Sequence, residues 1–432
     1  MLLKTLTLEN FCCFDKRQFQ LAERFNLLIG DNGSGKTSIL NGLAVGVSAY
    51  LRSLPEKIGF RPIHPSDVRF CSFLQGDSYT REKQFPVVVT CQGVVIGESG
   101  TWSRMLNGGT RELQESWLQA SANNMGTRVR AGEAEILPII SYYGTGRLLQ
   151  KRQQSVDTLA PGSRFLGYVD CLDPVSDEKR LLAWFKTMEI QSIQEKKTIG
   201  VLEAVRQAIV TCVEHAEHVW FNVAQDELLL RFADREVPFN YLSAGYRNML
   251  AMVAGIASRC ATLNPALKEE AIRETPGVVL IDEIDLHLHP KWQRRVVNDL
   301  LKAFPKIQFV ATTHSPFIIQ SLVPKDGIQL LNLDNAEAND FADKSVEDIA
   351  EEVQGVAIPQ RSQRFIDMMA AAERYYAKLR EGPTKSDEQL EQLKQELDRL
   401  ILPFSDDPAY QAFLRMQRTA SGIDERNGHA SR

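Results

Sequence analysis

Hydrophobic and polar positions along the chain alternate between two periods, and the switches between them mark out an α/β protein. Residues 2–8 alternate apolar and polar as a half-buried strand does, and residues 19–29 read as a second strand that closes on Phe25, Leu27, Leu28 and Ile29. The continuous apolar run at 278–281 has the pattern of a parallel strand buried on both faces, 137–143 reads as a further buried strand and 307–311 as another short strand. Between these runs the period lengthens. Leu181, Leu182, Phe185 and Met188 give one helix an apolar face, with Ser176 as its cap and Glu178 in its first turn. Further helices are expected over 199–218, 247–260 and 291–304, and strands over 219–223 and 227–232. Residues 50–135 read as an inserted β-rich segment, with a hairpin within 85–95 and loops in the Gly, Asn and Ser-rich stretches near 97–110 and 121–132. The last hundred residues turn helical, over 345–380, 387–402 and 407–420, and residues 421–432 have the composition of a disordered tail. Leu390, Leu393, Leu397 and Leu400 form a stripe too short for a stable coiled coil, which is therefore expected to pack on the body or on a partner.

Candidate chemistry sits where these strands end. The strand closing at Ile29 runs straight into Gly30-Asp-Asn-Gly-Ser-Gly-Lys-Thr37, a match to GxxxxGK[ST] in the strand–loop–helix setting that the pattern requires. Backbone N–H groups of Asn32, Gly33, Gly35 and Ser38 and the helix N-terminus can cradle phosphates. Lys36 can reach the β and γ phosphates, and the Thr37 hydroxyl can hold Mg²⁺. The run at 278–281 ends in Asp282 and Glu283, two carboxylates at the sheet edge where ligands of open α/β sheets bind. One can support a metal while the other orients water. The strand at 307–311 ends in Thr312-Thr-His314-Ser-Pro316, which places His314 at the tip of a strand near the same edge. Arg147, in the turn Gly144-Thr-Gly-Arg147, and Gln150 are also candidates to sense phosphate, but an arginine after a turn is more often solvated and is read so here. His287 and His289 lack further ligands at zinc spacing.

Composition sets limits on this picture. The 432 residues are enough for a large α/β domain and an additional lobe. With 44% hydrophobic and 24% charged residues and no apolar run long enough to span a bilayer, the chain is expected to be soluble, without a membrane partner. The start, MLLKTLTLENF, lacks the features of a secretion signal, so a cytoplasmic location is expected. Seven scattered cysteines, with no CxxC pair, indicate neither a zinc site nor a disulfide framework. A net charge of −5 argues against an extended basic surface, yet a local DNA-binding groove is compatible with it.

The loop at 30–37, LSAGY at 242–246, LIDEID at 280–285 and TTHSP at 312–316 occur in an order that resembles the ABC-type ATPases, in the branch that includes RecF, Rad50, SMC and the OLD ATPases. The resemblance implies an α/β fold: an ABC-type P-loop ATPase head, with a mixed sheet and flanking helices, an inserted helical lobe and a helical C-terminal extension. The head would comprise 1–150 and 219–340, the lobe 151–218, and the extension 341–420. It further implies ATP and Mg²⁺ as cofactors, with Lys36 and Thr37 on phosphate and metal, Asp282 supporting the metal, Glu283 activating water and His314 at the γ-phosphate. Ser243 and Gly245 would act on ATP held by a second copy, in a head-to-head dimer with slow turnover in a monomer.

The chain departs from that pattern in places. Its signature reads LSAGY rather than LSGGQ, and no Q-loop glutamine can be named. The stretch between Thr37 and Leu242 is too short for the long coiled coil of Rad50 or SMC proteins. No DxD set follows the head as a Toprim nuclease would need, so no built-in nuclease is expected. The segments LPIISYYGTGRL and LKQELDRLILPFSDDPAYQAFLRMQR resemble the ATPase subunits of Septu and related retron antiphage systems, called PtuA. That likeness implies a separate HNH nuclease as partner, docked on the C-terminal helices. The other reading is a RecF-like repair ATPase that acts on DNA without a nuclease, and a third is a binding module whose ATP site serves as a latch.

Overall fold

The computed structural model describes residues 1–56, 58–108, 110–114, 116–148, 162–174, 178–322, 327–334, 344–356, 359, 361–380 and 388–401. Gln150, the Ser176 cap, the helix expected at 407–420 and the tail lie outside the described residues. The chain divides into two compact units, residues 1–346 and 347–432.

The first unit opens with strands β1 (Leu2–Phe11), β2 (Phe14–Gln20) and β3 (Phe25–Ile29), followed by helix α1 (Lys36–Ser53). The single strand expected over 19–29 is thus broken in two. Asn26 explains the break: its side chain accepts from Ala22 N at 2.7 Å and donates to Ala22 O at 3.0 Å, pinning a turn between β2 and β3. Next come β4 (Phe70–Gln75), β5 (Ser78–Lys83), β6 (Val87–Val95), β7 (Glu98–Asn107), β8 (Thr110–Gln114), helix α2 (Ser116–Arg130) and strand β9 (Ile139–Tyr143). Only β4 and β5 form a separate ribbon. Strands β6 to β8 extend the N-terminal hairpin into an antiparallel sheet of order β2-β1-β6-β7-β8, so most of the segment read as an insertion belongs to the body. Local pattern could not reveal this, because β1 and β6 are joined by ladder bonds across some eighty intervening positions.

Helices α3 (Glu178–Glu195) and α4 (Gly200–Cys212) then lead into a small antiparallel sheet of β10 (His218–Asn222), β11 (Glu227–Arg231) and β12 (Glu236–Pro238). Helix α5 (Ala244–Leu263) and the short α6 (Ala271–Glu274) precede β13 (Gly277–Ile281). The helix expected over 291–304 is split into α7 (Pro290–Gln293) and α8 (Val296–Ala303), because Arg295 leaves helical geometry with φ −121. Strand β14 (Ile307–Thr312), helix α9 (Pro316–Ser321) and strand β15 (Ile328–Asn332) complete the unit.

The functional framework is the second large sheet, entirely parallel and of order β15-β3-β14-β13-β9. Every residue of β3, β9, β13 and β14 is buried, as strands covered on both faces should be. Ile281 pairs with Tyr143 and with Ala311, and Thr312 with Leu28, so four strands end together at one edge. Helix α1 packs against both sheets. A buried amide welds them: Gln308 on β14 accepts from Leu3 N at 2.8 Å and donates to Leu3 O and Ala22 O. Among the described residues no helix is long and apolar enough to cross a membrane.

In the second unit the expected helix over 345–380 is two, α10 (Val346–Glu352) and α11 (Gln363–Arg380), separated by Gly355 at φ +65. Helix α12 (Glu388–Ile401) packs on α11. Leu397 is buried with Phe365, Met368, Ala371, Ala372 and Tyr376, and Leu400 flanks the cluster. Leu397 and Leu400 of the stripe thus find cover within their own unit, while Leu390 and Leu393 are half-buried.

Candidate active site

Three loops converge at the C-terminal edge of the parallel sheet. After β3 the chain turns through Gly30 to Gly35, and α1 begins at Lys36. Gly35 takes φ +100, and a Cβ there would lie 2.5 Å from the Phe14 ring, so both backbone and space require glycine. Asn32 and Gly33 are exposed at the tip of the loop, Thr37 is exposed and Ser38 half-buried. Lys36 is buried, and its Nζ donates to Gly30 O at 2.7 Å and Asp31 O at 2.9 Å. Burial lowers its pKa, while Asp334, Asp282, Asp31 and Glu283 oppose the shift.

Asp282 directly follows β13 and is buried. Its carboxylate accepts from the Thr37 hydroxyl at 3.0 Å, so the phosphate-loop helix and the carboxylate strand meet. Strand β14 lies between β3 and β13, and its last residue fills the gap. Thr312 donates to Asp282 Oδ1 at 2.6 Å and accepts from Glu283 N at 2.7 Å. Glu283 itself is half-buried and sits at φ +47, a left-handed backbone uncommon for a residue other than glycine. His314 is exposed two residues beyond Thr312, at the tip of the same strand. Lys36, Thr37, Asp282 and Glu283 are therefore gathered at one edge.

A hydroxyl and a carboxylate within hydrogen-bond distance are the hard oxygen donors that Mg²⁺ takes from protein when phosphates and water fill its other positions. Among the described residues no group of three or more His, Cys, Asp or Glu is placed to hold a metal ion by itself. The donor set suits a nucleotide-bound ion.

Ser243 and Gly245 lie elsewhere, in a separate cavity of about 600 Å³ that they line with Tyr246, His287, His289 and Trp292. Ser243 stands at the start of α5, yet its side chain makes no cap hydrogen bond and is exposed. A Cβ on Gly245 would lie 2.6 Å from His287 O, so the signature turn touches the loop that follows the carboxylates. Tyr246 meets Trp292 edge-on with centroids 4.2 Å apart, and the Trp292 indole donates to Glu214. His289 accepts from Lys291 N at 3.3 Å and so caps α7.

Arg147 is the clearest departure from expectation. Rather than being solvated it is 2% exposed, and its guanidinium reaches Asp282 O, Glu283 O, Gly144 O and Asn248 Oδ1. Thr312 and Asn248 were also missed as parts of the site. Thr312 stood inside the TTHSP motif, but nothing local distinguished it from Thr313, whose hydroxyl goes to Asp285 instead.

A family described as "AAA domain" matches residues 5–216, and one described as "AAA domain, putative AbiEii toxin, Type IV TA system" matches residues 201–320. A "Retron Vc95 probable ATPase" of Vibrio cholerae is 44% identical over 97 residues, 22% of this chain and 18% of that protein. A "Septu protein PtuA" of Bacillus mycoides is 27% identical over 267 residues, 61% of this chain and 35% of its own length. Another from Bacillus thuringiensis is 29% identical over 161 residues, 34% of this chain and 39% of that protein. The matches thus span well under two thirds of each relative. The SMC head domain from Thermotoga maritima superposes at 16% identity with a TM-score of 0.40, over 76% of this chain and 94% of that one, a likeness too loose to bear on the chemistry.

Proposed function

We propose, from the premise that the chain is an ABC-type ATPase of the Rad50/SMC branch, that it binds and hydrolyses ATP as the engine of an antiphage defence complex. The observation that carries the reading is the 3.0 Å contact between Thr37 Oγ1 and Asp282 Oδ2, which joins the phosphate loop to the carboxylate strand. In this reading Asn32, Gly33, Gly35 and Ser38 offer backbone N–H groups to phosphate, and Lys36 turns from the loop carbonyls to the β and γ phosphates. Thr37 and Asp282 hold Mg²⁺, which when bound neutralises phosphate charge. Glu283 orients and deprotonates the attacking water, and His314 contacts the γ-phosphate.

Ser243 and Gly245 act on nucleotide held by a second copy, in a head-to-head dimer. What supports this is the Ser243 hydroxyl, exposed and uncommitted to its own helix. The relatives, named as a retron ATPase and as Septu proteins, support an antiphage role. The partner in this reading is a separate nuclease of HNH type, docked on the extension at 341–420, and DNA is a further candidate ligand. In the same reading the head is 1–150 with 219–340, the lobe is 151–218 and the chain carries no nuclease.

ATP turnover by the wild-type chain and by Glu283→Gln tests the engine. A loss of roughly 10²-fold or more is expected for a missing general base, and unchanged turnover refutes the assignment. Ser243→Arg should abolish turnover if sites are shared between copies; full activity excludes the dimer. Affinity capture from the native host, with and without ATP, followed by a DNA-cleavage assay on what co-purifies, tests the partner. Recovery of the chain alone with DNA-stimulated turnover would favour a repair ATPase.

A further inference from the structure

Burying a guanidinium is expensive unless its donors are satisfied, and the cost points to what the group holds in place. Arg147, at the turn after β9, satisfies its donors almost wholly with backbone. Nη1 donates to Gly144 O at 3.0 Å and Asp282 O at 2.7 Å, Nη2 to Glu283 O at 2.9 Å, and Nε to Asn248 Oδ1 at 2.6 Å. Two of these acceptors are the carbonyls of the two carboxylate residues. The fourth belongs to α5, little more than one turn beyond Ser243. Asn248 also donates to Leu286 O at 2.7 Å, so the amide grips both the arginine and the loop after Glu283.

We infer that Arg147 is a positioning residue that fixes the backbone of Asp282 and Glu283 and ties it, through Asn248, to the signature helix. The inference rests on the reading of Glu283 as the base. Glu283 holds φ +47, a left-handed conformation that is strained for a residue with a Cβ and persists only where neighbours enforce it. The Arg147 bond to Glu283 O and the Thr312 bond to Glu283 N clamp both sides of that residue. A planar fork suits such a clamp, because one rigid group meets several carbonyls at once, which an ammonium cannot do. The group keeps its charge at neutral pH. Burial pulls its pKa down to about 10, against the opposing pull of Asp282, Glu283 and Asp285. A movement of α5 at Ser243 would then reach Glu283 through two hydrogen bonds.

The experiment is steady-state turnover of Arg147→Lys and Asn248→Ala in the full chain, with binding of a fluorescent ATP analogue and thermal unfolding measured alongside. In both variants kcat should fall by roughly 10²-fold, as for a displaced catalytic group, while the dissociation constant for the analogue stays within about threefold. A purely structural plug would instead lower the unfolding temperature and leave kcat alone, and that result overturns the inference. Affinity lost in proportion to kcat would overturn it too. If Arg147→Lys does not fold, Asn248→Ala decides, since it removes the tie of the arginine to α5 and the grip on Leu286 O while the guanidinium stays in place. Glu283→Gln separates the two claims: wild-type turnover there overturns both, whereas its loss beside normal Arg147 and Asn248 variants overturns only this one.

Discussion

The Thr312 hydroxyl donates to Asp282 Oδ1 at 2.6 Å, and in the same position it accepts the N–H of Glu283 at 2.7 Å. One side chain thus sets the orientation of the Asp282 carboxylate and the backbone of Glu283, the next residue. Thr312→Val keeps the shape and removes both bonds, leaving a backbone N–H without its acceptor. The expected cost is about 1–3 kcal/mol in urea unfolding together with a fall in ATP turnover, whereas Thr312→Ser restores both. Equal stability for Val and Ser variants would show that the hydroxyl is idle.

A serine at a helix N-terminus normally stabilises it by about 1 kcal/mol through its cap bond. Ser243 makes no such bond at the start of α5. Ser243→Ala should therefore leave the melting temperature unchanged while lowering turnover, separating stability from activity at one atom. A clear drop in melting temperature would assign the residue to ordinary capping.

Alkali should unfold this protein in a predictable range. Burial pushes the thiols of Cys171 and Cys260 up to about 12, and it also raises the phenols of Tyr50 and Tyr168. Folded pKa values raised above unfolded ones mean that stability is complete below the unfolded value and is lost as pH rises. For each thiol the loss begins near about pH 8.5 and approaches about 1.4 kcal/mol per pH unit until the folded value is passed. Urea midpoints measured from about pH 7.5 to about pH 10.5 should decline, and the decline should be shallower in a Cys171→Ala, Cys260→Ala double variant. Identical slopes would contradict the burial argument.

Leu397 is 3% exposed in the cluster between α11 and α12. Leu397→Ala should cost about 2–5 kcal/mol locally and accelerate amide exchange along both helices. ATP turnover should be unaffected, because the residue belongs to the second compact unit. If exchange in α11 does not change, the pairing of the two helices is not held by this contact.

Much of the fold was legible because its signals are local. Apolar runs announced the buried strands β3, β9, β13 and β14, and the glycine-rich loop announced the turn into α1. Gly35 shows why: φ +100 and the adjacent Phe14 ring leave no room for a side chain, so the requirement is written at a single position. Asp282 and Glu283 were legible for the same reason, as the polar end of an apolar strand.

Local order along the chain therefore specifies the pieces: a phosphate loop, a carboxylate strand, a threonine-histidine strand end and a signature turn. Tertiary structure alone decided how they meet. Strand β14 inserts between β3 and β13, and only that order puts Thr312 beside Asp282 and brings Thr37 across to the same carboxylate. Strand β9 lies on the far side of β13, which turns Arg147 inward beneath Glu283 instead of outward into water. Strand order and burial are set by contacts between residues 30 to 245 positions apart, and no local period or motif encodes them.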